Sequence, residues 1–153
     1  MGTEIRKIQS TDRPQVRDLA DRLTEGVAPW RKTSDVAQAV RSWIDDSSSS
    51  DFDGVALVAI DDNEQVIGFV SLSTITHFAG ELDAYIGELV VAHEAEGRGV
   101  GTDLVAAAEH QATLDGRRCI TLTTGAANGR ALHFYRRLGY RDEDIKLTKV
   151  LSS

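Results

Sequence analysis

A chain of 153 residues, 41% hydrophobic and 27% charged, is long enough for one domain with its own core. Its net charge of −7, from 24 acids and 17 bases, argues against a basic nucleic-acid face. No run is apolar enough to span a bilayer or act as a signal peptide, so neither membrane nor nucleic acid is an expected partner, and the cytoplasm is the simplest location. Cys119 is the only cysteine, which rules out an intrachain disulfide and a cysteine-rich zinc site; its apolar strand context makes it a small core residue.

Thr3 to Ile8 reads as a first strand. A helix follows, with Ser10 or Thr11 as cap, Pro14 in its first turn and Gly26 beyond its end. Its apolar face is Val16, Leu19 and Leu23. A second helix starts near Ser34 and carries Val36, Val40, Trp43 and Ile44 on one side. The serine run 47–50 after it reads as a mobile loop. Val55 to Ile60 is continuously apolar, the signature of a strand buried on both faces. A polar turn, Asp61 to Glu64, separates it from a long strand, Gln65 to Ile75. A loop containing His77, Gly80, Glu81 and Asp83 leads to a central strand, Tyr85 to Ala92.

Beyond that strand lies a glycine loop, Glu96-Gly97-Arg98-Gly99-Val100-Gly101, and then a helix from Gly101 to Leu114 stopped by Gly116. The glycines let a ligand approach the backbone closely. Free N–H groups at Gly99, Gly101 and Thr102 would point at an anion, and Arg98 adds positive charge. A strand, a glycine loop and a helix start in this order make a place for a phosphorylated cofactor. The dinucleotide fingerprint fits poorly, because Arg117 and Arg118 stand before the next strand and the chain is too short for two such halves. No Gly-Lys-Ser/Thr follows the loop, so it is not a phosphate loop of that kind. Arg118 to Thr124 alternates as a strand. Asn128 caps a last helix reaching Leu138, whose apolar face is Ala131, Phe134, Tyr135 and Leu138. Ile145 to Leu151 closes the chain as a further strand. The order of elements implies a single α/β domain over residues 1–153, a mixed sheet with helices on both faces.

With these residues in place, Val90 to Tyr140 resembles the GNAT superfamily of N-acetyltransferases. The family's Arg/Gln-x-x-Gly-x-Gly/Ala motif corresponds to Glu96 to Gly101. Its later Asn…Ala…Phe-Tyr…Leu-Gly-Phe/Tyr block corresponds to Asn128, Ala131, Phe134-Tyr135 and Leu138-Gly139-Tyr140. Glu96 departs from the family pattern, and a carboxylate beside a pyrophosphate is unfavourable. The resemblance implies six to seven strands, mostly antiparallel with a parallel central pair, flanked by about four helices. It implies acetyl-coenzyme A as co-substrate, with no metal, and transfer of its acetyl group to an amine. The backbone of Leu89, Val90 and Val91 would pair with the pantetheine arm, and Glu96, Gly97, Arg98, Gly99, Val100, Gly101 and Thr102 would form the pyrophosphate loop. Asn128 would bond the pantetheine or cap its helix, and Arg130 and Arg136 would meet the adenosine phosphates or face water.

Such a reaction needs a neutral amine, an oxyanion donor and a proton for the leaving thiolate. Glu88 is the first candidate base, with Glu81, Asp83 and His77 as alternatives. A backbone N–H near Val91 is the oxyanion donor, and Tyr135 is the general acid or a core aromatic. Trp30, His77, Glu81 and Asp83 lie in the variable loops expected to bind the acceptor. Three acids, Glu81, Asp83 and Glu88, suit a small cationic amine such as a polyamine or aminoglycoside. A protein or peptide amine, and a non-catalytic acyl-coenzyme A binding module, are the competing readings. The last strand offers an edge for a homodimer.

Overall fold

The computed structural model describes residues 2–152. Five strands form one sheet in the order β1-β2-β3-β4-β5. They are β1 (Glu4–Lys7), β2 (Val55–Ile60), β3 (Val66–Thr76), β4 (Leu82–Val91) and β5 (Ile120–Leu122). Neighbours are antiparallel except β4 and β5, which run parallel. The α-helices are α1 (Arg13–Asp18), α2 (Thr33–Ser47), α3 (Val100–Leu114) and α4 (Gly129–Arg137).

The pattern of burial explains the layers. β2 and β3 are nearly continuously apolar and covered on both faces. One core packs Leu104, Ala108 and Ala112 of α3 against Val70, Ala84 and Ile86. The other packs Val16, Ala20 and Ile44 against Val58, Phe69 and Val90. α3 therefore covers one face of the sheet, and α1 and α2 cover the other. No helix among the described residues is long and apolar enough to cross a membrane.

Three expectations change. The first helix is broken into α1 flanked by 3-10 turns over Ser10–Asp12 and Ala20–Thr24. Its start is organised by Asp12, not by Ser10 or Thr11: the Asp12 carboxylate accepts from the Gln9 N–H at 2.7 Å and from Arg6. The serine run is not a free loop, because Ser47 ends α2 and both Ser47 and Ser48 are buried. The sheet has five strands where six or seven were expected. Residues 145–151 have no strand partner and are exposed. A strand-like sequence cannot register as a strand without an edge to bond.

The topology leaves one opening. β5 pairs with β4 only from Ala84 to Ile86. β4 continues to Val91 without a neighbour on that side. Ala92 donates to Ile67 on β3, so the strand's alternation turns the polar groups of Leu89 and Val91 toward the gap.

Candidate active site

The glycine loop sits at the end of β4, beside this gap. Gly97 and Gly99 adopt φ of +79° and +81°, a left-handed conformation that a side chain would strain, and the space around both is open. Gly99 is the N-cap of α3, with no side chain capping it. The first N–H to bond back is that of Asp103, to the Gly99 carbonyl at 3.0 Å. Among the described residues, the N–H groups of 97–102 have no partner within the chain. They form a run of donors at a helix N-terminus, where the partial positive charge favours an anion. Gly99→Val should abolish binding of a phosphorylated cofactor while the far-ultraviolet circular dichroism stays unchanged; unaltered affinity by calorimetry would place the phosphates elsewhere.

Glu96 does not face this site as a bare charge. Arg22, from the turn after α1, hydrogen-bonds Glu96 Oε1, and Arg130 reaches Glu96 Oε2 at 3.3 Å. The Arg22 bond, then the Arg130 bond, hold the Glu96 carboxyl below the usual carboxylate range. The same guanidinium donates to Glu25 at 3.3 Å and to the Val91 carbonyl at 2.5 Å. The side chain of Arg22 is mostly buried. One cation thus neutralises the acid at the loop and occupies one of the β4 acceptors that faces the gap. Leu89 and the Val91 N–H remain available. Arg98 points back to the Glu94 carbonyl at 2.8 Å, and Arg136 pairs with Asp142 at 2.8 Å.

Asn128 acts as the cap of α4. Its Oδ1 accepts from the Ala131 N–H at 3.2 Å, and its Nδ2 donates to the Glu25 carbonyl at 3.4 Å. The Tyr135 ring makes edge contacts with Phe134 and Tyr140, with centroids 5.1 and 5.6 Å away. Its hydroxyl has no partner among the described residues, and burial pushes it up to about 12.

Glu88 lies on β4 one residue before the open edge. Burial raises its carboxyl above the ordinary range, the Ser47 and Ser71 hydroxyls pull it partly back, and Asp46 adds to the rise. Ser71 Oγ accepts from the Glu88 N–H at 3.0 Å and donates to Oε2 at 3.1 Å. Ser47 Oγ stands 2.5 Å from Oε1 and 2.9 Å from the Trp43 carbonyl. A hydroxyl has one proton. When Glu88 is charged, Ser47 donates to it. When Glu88 is neutral, it donates to Ser47, which donates to Trp43. The carboxyl is therefore held in place in both protonation states.

The other predicted acceptor residues are not gathered here. Glu81 and Asp83 lie at the opposite end of β4, five or more residues from Glu88, or about 16 Å of extended strand. Glu81 is clamped by Arg118 through two bonds of 2.6 Å. His77 stacks on Phe78 and bonds Glu143 at 3.0 Å. Trp30 is exposed on the turn before α2. Glu81, Asp83 and Cys119 could group their ligand atoms within 4.8 Å of one another, so the residues do present a metal-capable cluster, but Arg118 already supplies a cation to Glu81. Cys119 is only half-buried, not a core residue. The sequence reading missed Arg22, Ser47 and Ser71. Arg22 carried no signal, being 74 residues from Glu96.

The profile of the Acetyltransferase (GNAT) family matches residues 13–140. An uncharacterized N-acetyltransferase of Methanocaldococcus jannaschii is 34% identical over 85 residues, 54% of this chain and 38% of that protein. Aminoalkylphosphonate N-acetyltransferase of Salmonella typhimurium is 33% identical over 94 residues, 58% of each. The chain thus spans about half the length of these curated relatives, or less. Among solved structures, an acetyl transferase of Pyrococcus furiosus superposes with a TM-score of 0.79 at 19% identity, covering 98% of this chain and all of that one. Aminoglycoside N-acetyltransferase AAC(6')-Iy in complex with CoA gives 0.71 at 18% identity, covering 99% and 96%. A glycine loop with free N–H donors at the end of an open-edged β4, and a family profile spanning most of the sequence, agree: the chain belongs to the acetyltransferase (GNAT) family.

Proposed function

We propose that this protein transfers the acetyl group of acetyl-coenzyme A directly to a primary amine of a small cationic molecule, in the cytoplasm. The observation that carries the reading is the half-buried, doubly held Glu88 on the same strand whose free edge precedes the glycine loop. Coenzyme A bound there would place its pyrophosphate on the donors of residues 97–102 and its pantetheine along Leu89 and Val91.

The amine arrives as a cation with a pKa near 10.4, so roughly one molecule in a few thousand is neutral at pH 7. That costs about 4–5 kcal/mol of barrier. A carboxylate with a raised proton affinity is a stronger base than an ordinary one and recovers part of this cost, directly or through a water. Asp46, exposed on α2 and close enough to shift Glu88, adds negative charge for a cationic acceptor. Trp43 lies three residues away on the same helix face and is also exposed. These two residues, with Glu88, replace Trp30, His77, Glu81 and Asp83 as the proposed acceptor side. The Val91 N–H faces the gap and is the oxyanion donor.

Tyr135 serves the leaving sulfur. At about 12 it stays protonated through the working range. Full transfer to a thiolate near 8.5 would run uphill, so it stabilises the developing charge as a hydrogen-bond donor. Tyr135→Phe should lower kcat about tenfold or more with coenzyme A affinity nearly unchanged. A single-turnover rate equal to the parent's would remove this role.

The pairing of Glu96 with Arg22 removes the main objection to coenzyme A binding, which a transferase and a non-catalytic binding module share, so turnover separates the two. Mass spectrometry of products from aminoglycosides, polyamines and short peptides tests the acceptor class. Acetylation confined to the small polycations is the expected result. Acetylation of peptides alone would overturn it.

A further inference from the structure

We propose that the adjoining starts of β4 and β5 bind a zinc ion between Glu81, Asp83 and Cys119. The register of the sheet brings the three together. β4 and β5 run parallel, and their first paired residues are Ala84 and Ile120. The Ala84 N–H donates to the Cys119 carbonyl at 3.0 Å. Asp83 and Cys119 stand side by side one residue earlier. Strand alternation turns Asp83 away from the face on which Ala84 packs in the α3 core. Glu81 arrives from the turn before β4. One oxygen or sulfur atom from each residue lies within 4.8 Å of the other two.

Asp83 is what singles out this cluster. It is 6% exposed, and its Oδ1 is buried with no hydrogen-bond partner among the described residues. Buried carboxylates are paired or coordinate a metal, and an orphan oxygen is unfavourable. The cation at this corner, Arg118, gives two bonds of 2.6 Å to Glu81 and none to Asp83. The Arg118 guanidinium is raised by Glu81 first, then by Cys119, with Asp83 adding to the rise. The chain thus gathers three potential negative charges here and meets them with one exposed cation.

The donor set selects the metal. Two carboxylates and a thiolate suit zinc, whereas magnesium and calcium prefer oxygen alone. Zinc–sulfur bonds of about 2.3 Å and zinc–oxygen bonds of about 2.1 Å put the ligands of a tetrahedral ion roughly 3.5 Å apart. Side-chain shifts of about 1 Å close the cluster to that spacing. Glu81 and Cys119 are partly exposed, which gives the ion an entry path and leaves its fourth position to water. The thiol releases its proton to solvent as it binds. Arg118 leaves Glu81 at the same time; an exposed ion pair of this kind costs little to open. The ion ties β5 to β4 where pairing extends only from Ala84 to Ile86, while the other end of β4 stays open beside Leu89 and Val91.

Cobalt(II) reads such a site, because a thiolate ligand gives it a near-ultraviolet charge-transfer band and a tetrahedral field intensifies its visible bands. The metal-stripped full chain is titrated with cobalt and then with zinc. One cobalt per chain, both absorption features, and their loss on adding zinc are expected. Cys119→Ser should remove the charge-transfer band. Asp83→Asn should weaken zinc about tenfold or more, since even residues that only support a metal ligand cost roughly 10–100-fold. Arg118→Ala should tighten zinc by freeing Glu81. In the parent, zinc should shield Cys119 from a thiol-alkylating reagent, which tests the site without a variant. No charge-transfer band at saturating cobalt, a zinc affinity unchanged in Asp83→Asn or in Arg118→Ala, or alkylation of Cys119 at one rate with and without zinc would each overturn the site.

Discussion

Glu88→Gln should lower kcat about 100-fold at neutral pH and, at the same time, raise the melting temperature. The two effects have one cause. Burial raises the Glu88 carboxyl, so the folded protein binds this proton more tightly than the unfolded chain does. Its contribution to stability is complete below the ordinary carboxylate pKa and is lost as pH rises through the raised folded value. At pH 7 the charged carboxylate therefore opposes folding. Glutamine keeps the size and the bonds to Ser47 and Ser71 but carries no charge, so it relieves this cost. It also removes the base, whose loss typically costs 10²–10⁴-fold. The acidic limb of the kcat/KM profile should vanish with the side chain. The stabilisation should shrink as pH is lowered toward 4, because the native carboxyl is then neutral as well. A variant with full activity, or with a lower melting temperature at pH 7, contradicts this role.

Arg22→Ala should weaken coenzyme A binding at least tenfold by isothermal calorimetry and lower the melting temperature by several degrees. The guanidinium joins the turn after α1 to β4 and to the loop before α3. Without it the half-buried Val91 carbonyl loses its donor, at about 1–3 kcal/mol for an unsatisfied group. Glu96 keeps the exposed Arg130, and the exposed His93 ring 3.9 Å away, but loses its shortest and best-buried partner, and its charge then repels the pyrophosphate. Adding Glu96→Gln to Arg22→Ala should restore much of the affinity but little of the stability, since the Val91 defect remains. If the second substitution restores neither, Glu96 does not govern the anion site.

Some of this was legible in sequence because local chemistry decided it. Val55–Ile60 is a strand in sequence and in structure because a run of apolar residues has no other place than a double-sided core. The turn before α3 needs positive φ at Gly97 and Gly99, and glycine alone supplies it cheaply. Glu88's position on the central strand was legible because it lies within a long apolar run, and the structure places it on β4. What remained hidden depended on distant residues. Ser47 looked like the start of a floppy serine run, whereas the end of α2 delivers it to a carboxylate 41 residues away. Glu81 and Asp83 looked like neighbours of Glu88, but the strand between them is extended and carries them to the far end of the sheet. Residues 145–151 have the composition of a strand, and composition says nothing about whether an edge within the same chain is in reach.

The most direct test of the account is thiol release from acetyl-coenzyme A, followed with a free-thiol reagent, with and without a small polycationic amine. The account predicts release that depends on the amine, saturates with both substrates and is lost in Gly99→Val. Binding of acetyl-coenzyme A with no release above the amine-free rate, across polyamines, aminoglycosides and peptides, would contradict it.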